Sequence, residues 1–219
     1  MTMTSETPFD QAEYWIERHK RLQGDPRSVG NVGKSVEENL KGEELIKRNV
    51  SAVARLLKPS RRSVLDLGCG YGRVANEFLQ QGFEYIGIDV SPDAIKQAQL
   101  DNPEGKFQVM DLNEWEPAAG YDVVCALYIL VHFVDDDKWS AFLDGALRSV
   151  DDDGYFVFAD EFPDERKTAG SHVVIRPLSE YTAHLSRHGF QLDTDLKAKF
   201  VSECQSRASE QFHFARRGE

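Results

Sequence analysis

Between Arg62 and Phe158, short apolar runs alternate with stretches in which apolar residues recur every three or four positions. Ser63-Val64-Leu65-Asp66-Leu67 predicts a first strand that runs into glycines. Val74, Ala75, Phe78 and Leu79 follow at helical spacing, and Gly82 stops that helix. Residues 85–89 predict a second strand, and Ser91-Pro92 supplies an N-cap and a first-turn proline for a helix to about Leu100. Residues 106–110 and 121–127 predict strands three and four. Trp139, Phe142, Leu143, Ala146, Leu147 and Val150 form one buried helical stripe, and residues 155–159 predict strand five. Strands alternating with helices imply a parallel sheet wound with helices on both faces.

The flanks read differently. Ser179 caps a helix closed by Gly189, and two runs, roughly 192–201 and 212–215, read as antiparallel edge strands. The first 60 residues predict a helix around 14–22, a glycine-rich loop over 24–35 and a helix over 36–57. Residues 1–60 are therefore expected to be a helical cap on a core of residues 61–219, within one domain overall.

Composition narrows the function classes. The 219 residues carry 26 Lys+Arg against 37 Asp+Glu, a net charge of −11, which disfavours nucleic acid and anionic membranes as partners. Hydrophobic content of 41% is that of an ordinary globular chain. Cys69, Cys125 and Cys204 read as reduced thiols in a cytoplasmic setting, and no Cys/His spacing suggests a metal. No apolar run is long enough to span a bilayer, and Met1–Glu6 lacks the basic start and apolar stretch of a secretory leader.

Parallel sheets bind ligands beyond the carboxyl ends of their strands, so the residues there are the informative ones. Strand one ends in Asp66-Leu67-Gly68-Cys69-Gly70-Tyr71-Gly72, where glycines permit a tight turn and close backbone approach. Strand two ends in Asp89, about 20 residues on, where a carboxylate can accept from both hydroxyls of a ribose. Strand three ends at Asp111, and His132 follows strand four. A nicotinamide fingerprint would place its third glycine at Arg73, so the pattern departs from it. An amino acid joined to a nucleoside fits instead, with its ammonium at Asp66, its ribose at Asp89 and its adenine near Asp111. Gly30 to Ser35 superficially suggests a phosphate loop, but position 28 is Ser and no strand precedes it.

Residues 64–72 resemble the first motif of class I S-adenosylmethionine-dependent methyltransferases, and residues 86–91 resemble their second. Residues 107–112 and 121–124 resemble the third- and fourth-strand motifs, and the likeness extends to about Phe158. The resemblance implies a Rossmann-like α/β fold, a doubly wound, seven-stranded, mostly parallel sheet whose last two strands form a reversed hairpin. It implies S-adenosylmethionine as cofactor, with Asp89 on the ribose, Asp111 on the adenine and the Gly68–Gly72 backbone around the methionine moiety. Asp66, Cys69, Val90, Leu112 and Leu127 complete the expected cofactor contacts, with Arg18 as a candidate for the cofactor carboxylate. Trp115 is placed between covering the adenine and packing in the core.

His132 is the candidate general base, because an imidazole with a pKa near ~6.5 can take a proton at physiological pH. Tyr14, Trp15, Tyr128, Glu161 and His172 are candidate substrate contacts, while Asp160 and Glu161 also read as solvated loop acids. The expected reaction is methyl transfer to a small-molecule acceptor, most readily oxygen or nitrogen. A non-catalytic S-adenosylmethionine-binding regulator and a nicotinamide-dependent oxidoreductase are the alternatives. The sequence does not specify the oligomeric state.

Overall fold

Local chemistry sets the helix starts in the computed structural model, which describes residues 9–59, 61–117 and 120–218. The Met1–Glu6 stretch lies outside the described residues. Asp10, Ser35, Ser91, Asp135 and Asp193 each accept a backbone N–H one turn into the helix they precede. They open α1 (Gln11–Arg21), α2 (Val36–Leu56), α4 (Pro92–Asp101), α5 (Asp136–Arg148) and α7 (Thr194–Cys204). Ser35 and Glu38 form a reciprocal capping box, which is what the Gly30–Ser35 segment builds in place of a phosphate loop. The remaining helices are α3 (Ala75–Leu79) and α6 (Leu178–Arg187). Ser179 does not cap α6. Pro177 precedes the helix without a side-chain cap, and Leu178 already packs against the core.

Five parallel strands follow the expected order: β1 (Ser63–Leu67), β2 (Glu84–Asp89), β3 (Lys106–Val109), β4 (Tyr121–Leu127) and β5 (Val150–Ala159). A two-stranded hairpin, β6 (Lys167–Thr168) and β7 (Val174–Ile175), leaves the main sheet. The sheet closes with β8 (Phe190–Leu192) and β9 (Phe212–Arg217), giving the order β3-β2-β1-β4-β5-β9-β8. β9 runs antiparallel to both neighbours, which is the reversed C-terminal pair the resemblance implied.

One expected strand is mostly a helix. Residues 194–204 form α7, and only residues 190–192 pair with β9. Leu196, Phe200 and Cys204 recur every fourth residue, so a helix aims all three at one side. Phe200 and Cys204 are buried there in the core cluster that also holds Val50 and Val53 of α2.

Alternating side chains along each strand divide the core in two. Val64, Val123, Cys125 and Val157 face α2, α3, α4 and α7 on one side. Leu65, Leu67, Val124, Ala126, Phe156 and Phe158 face α5 and α6 on the other. The C-terminal half of α2 thus lies in the core layer, with Val50, Ala52, Val53 and Leu57 almost wholly buried. Strand order reverses between β1 and β4, opening a crevice beyond their carboxyl ends. Among the described residues no helix is long and apolar enough to cross a membrane.

Candidate active site

The glycine turn after β1 is held by three backbone donors. Gly68 N–H and Cys69 N–H both donate to Ile88 O, at 2.8 and 3.0 Å, and Gly70 N–H donates to Asp89 Oδ2 at 2.9 Å. Gly68 has φ +76°, so the backbone angle disfavours a side chain, and a Cβ there would stand 2.1 Å from Ile129 Cδ1, the movable end of that side chain. Asp89 Oδ1 accepts from Ser91 N–H at 2.9 Å. Both carboxylate oxygens are thereby oriented, each with acceptor capacity left over.

A cleft lies over this turn, with about 670 Å³ of empty space counting its open mouth. Its floor is made by Gly68, Cys69, Gly70, Asp89 and Val90, and one end by Asp111, Leu112 and Asn113. Leu127, Tyr128, Ile129 and His132 form the other end, and Gln11, Ala12, Trp15 and His19 of α1 form the roof. Asp111 also anchors its own turn, Oδ1 accepting from Asn113 N–H at 2.8 Å.

His132 enters the cleft with a defined hydrogen-bond partner. Its Nδ1 is 3.1 Å from His172 O, and a carbonyl can only accept, so Nδ1 carries the proton and Nε2 keeps its lone pair. Burial lowers its pKa to about 4. The Trp15 ring meets it edge-on at 4.7 Å. Tyr128 stands at φ +60°, its hydroxyl donating to Gln211 Oε1 at 3.2 Å, and burial pushes its pKa up to about 12.

His19 is only 4% exposed, and neither ring nitrogen has a hydrogen-bond partner. Its Nδ1 stands 3.9 Å from Asp89 Oδ1, too far for a hydrogen bond. Burial lowers the His19 pKa and raises that of Asp89, so the imidazole stays neutral beside the carboxylate. A neutral donor–acceptor ring buried without partners, facing a cleft, costs stability unless a ligand completes it.

Several expected residues sit elsewhere. Asp66 does not line the cleft: it lies beneath the glycine turn, 3% exposed, with Tyr85 donating to its Oδ2 at 2.6 Å. Burial raises its pKa to about 6, and its hydrogen bond goes to Tyr85 rather than into the cleft. Gly72 faces Ala98, Asn102 and Phe107 behind the turn. Arg18 is also turned away, its Nε and Nη2 donating to Arg27 O at 3.3 and 2.8 Å and Nη2 also to Gly30 O. That guanidinium ties α1 to the following loop and stacks over Trp15 at 4.7 Å.

Of the substrate candidates, Trp15 and Tyr128 line the cleft. Tyr14 and His172 lie outside it, stacked on each other at 4.7 Å, and His172 acts through its carbonyl on His132. Glu161 is exposed and lines no part of the cleft, whereas Asp160 is buried against Tyr181 rather than solvated. Trp115 packs in the core against α5, close over Gly145. The cation that does line the cleft is Arg73, noticed in the sequence only as a departure from the nicotinamide pattern.

Comparison with known proteins agrees with this geometry. A methyltransferase-domain family profile matches residues 41–193. The ubiquinone biosynthesis O-methyltransferase of Bradyrhizobium sp. (strain ORS 278) is 29% identical over 76 residues, 33% of this chain and 30% of that protein. The trans-aconitate 2-methyltransferase of Delftia acidovorans is 29% identical over 130 residues, 58% of this chain and 47% of that protein. The chain thus spans less than half the length of these curated relatives. Among solved structures, the magnesium protoporphyrin IX methyltransferase of Synechocystis PCC 6803 with bound S-adenosylmethionine superposes with a TM-score of 0.69 at 18% identity. That likeness covers 98% of this chain and all of the other, and it is a likeness of fold. With the profile running from within α2 to just past β8, and the glycine turn and Asp89 built as described, the chain belongs to the class I S-adenosylmethionine-dependent methyltransferase family.

Proposed function

We propose that the chain binds S-adenosylmethionine in the cleft and transfers its methyl group to a small-molecule acceptor through oxygen or nitrogen. The observation that carries this reading is that one cleft joins an oriented Asp89 at one place and the free Nε2 of His132 at another. When bound, the cofactor supplies a methyl already activated by its sulfonium. Asp89 accepts from the ribose hydroxyls, and His19 completes its own unpartnered ring on the same group. Asp111 and Leu112 border the adenine, while the Gly68–Gly70 backbone and Leu127 border the methionine moiety. Arg73 is the cation placed for the carboxylate, the role Arg18 is not free to play.

On the acceptor side, Trp15 and Tyr128 shape the wall and His132 Nε2 takes the proton of a hydroxyl or ammonium. Burial keeps that ring unprotonated throughout the physiological range and at the same time weakens it as a base. Within the N-terminal region α1 acts as the lid, excluding water from the cleft, while the C-terminal half of α2 belongs to the core. Three buried, free cysteines suit a reducing compartment, in keeping with a cytoplasmic location.

The test pairs binding with transfer. Calorimetry with S-adenosylmethionine and its demethylated product is expected to give one site per chain, and labelled methyl is expected to reach members of a hydroxyl and amine panel. Absence of cofactor binding would overturn the reading outright. Tight binding with no transfer to any acceptor would replace it with the non-catalytic one.

A further inference from the structure

Away from the cleft, α5 and α6 lie on the same face of the sheet, and two polar links are among those that join them. At one, the wholly buried Arg176 just before α6 reaches Asp136 at the start of α5, Nη2 to Oδ1 2.6 Å. At the other, Asp144 of α5 meets His184 and His188, which stand one helical turn apart at the end of α6. Asp144 Oδ1 is 2.7 Å from His184 Nε2 and 2.9 Å from His188 Nε2. All three ligand atoms lie within 4.8 Å of one another.

We propose that Asp144, His184 and His188 form a structural binding site for a divalent transition-metal ion, zinc by its donor set, that clips α6 to α5. Two imidazole nitrogens and one carboxylate oxygen are ordinary zinc ligands, leaving a fourth position for water. The rings are already near-parallel, 21° apart with centroids at 4.9 Å, so both Nε2 atoms present toward the same carboxylate oxygen. His184 is the fixed ligand: its side chain is 2% exposed and braced edge-on by Trp139 at 5.6 Å. His188 and Asp144 are the adjustable ones, 37% and 32% exposed, and they open the mouth of the site to solvent.

Tetrahedral ligands on bonds of ~2.0–2.2 Å stand roughly 3.3–3.5 Å apart, so the two N···O distances of 2.7 and 2.9 Å must widen by about 0.4–0.8 Å. Rotation of the two exposed side chains supplies that without moving either helix. The metal needs the Nε2 lone pair of each ring, so the ring proton sits on Nδ1, and the metal replaces the His184 Nε2 donor that Asp144 loses. His184 Nδ1 now faces Arg187 Nη2 at 3.0 Å. Arg187 is exposed and turns away once that nitrogen carries the proton. The proposal is independent of the methyl-transfer reading, because none of the three ligands lines the cleft.

The test uses the full chain, stripped with chelator and titrated with zinc sulfate. The expected result is one zinc per chain by calorimetry, with a melting temperature raised by roughly 5–10 °C at a hundredfold excess over Kd. His188→Gln, an exposed substitution that keeps a donor toward Asp144, should weaken zinc binding at least tenfold and abolish that rise. Asp144→Asn should do the same. Failure of the unmodified chain to bind zinc, or equal affinity in His188→Gln, would overturn the site.

Discussion

His19→Phe separates a ligand-binding role from a packing role, because the two move stability and affinity in opposite directions. In the free protein the imidazole is buried with both nitrogens unpartnered. An orphaned buried polar group costs about 1–3 kcal/mol, so an apolar ring of similar shape should recover part of that. For a chain of this size each kcal/mol is worth ~2–4 °C, predicting a melting temperature higher by about 2–10 °C. No ion pair is forfeited, since burial keeps His19 neutral and its Nδ1 stands 3.9 Å from Asp89. In the complex the variant lacks one hydrogen bond of ~0.5–1.5 kcal/mol, a roughly 2- to 12-fold weaker Kd for the demethylated cofactor. Differential scanning calorimetry and isothermal titration give the two numbers on one preparation. A variant that melts lower while binding the nucleoside as before would show His19 to be packing alone and would refute the reasoning.

Arg73→Gln should weaken cofactor binding by about tenfold or more by removing a charge-assisted contact of ~1.5–3 kcal/mol, whereas unchanged affinity would remove Arg73 from the carboxylate. For His132, with a pKa lowered to about 4, the unprotonated form persists as pH falls through 6.5. The kcat/KM profile should therefore show no inflection near 6.5, and its His132-dependent acid limb should appear only toward about pH 4; an inflection at 6.5 that vanishes in His132→Gln would contradict the assigned environment. Gly68→Ala places a side chain at φ +76° and against Ile129, and should cost about 1–2 kcal/mol from the backbone alone. Chemical denaturation measures it, and a neutral result would mean the turn relaxes freely.

Much of the fold is legible because its signals are local. Alternating runs such as 63–67 and 121–127, the Ser91-Pro92 start and the Trp139–Val150 stripe each declare an element without reference to distant residues. The 194–204 helix carried a signal as well. Leu196, Phe200 and Cys204 at four-residue intervals, after a capping Asp193, outweigh the strand preference of the aromatic Phe200 and β-branched Val201. The site was legible where backbone and strand ends determine it: Gly68, Gly70, Asp89, Asp111 and His132 all border the cleft. It was not legible where side chains settle their own partners. Arg18 finds two carbonyls of a loop 9 and 12 residues on, and Asp66 finds Tyr85 on the neighbouring strand. His184 and His188 are only four residues apart, but Asp144 lies 40 residues from His184, so no short spacing announces the third member of the set.

The roof of the cleft has a kinetic consequence. Gln11, Ala12, Trp15 and His19 sit on one short helix, held to the next loop by the Arg18 contacts with Arg27 and Gly30. On the proposed reading, loading and discharge of the nucleoside require that helix to lift, while the reaction requires it down. Throughput is then governed by how often this segment detaches. Weakening the Arg18 fastening would hasten departure of the spent molecule and at the same time shorten the interval available for the chemical step.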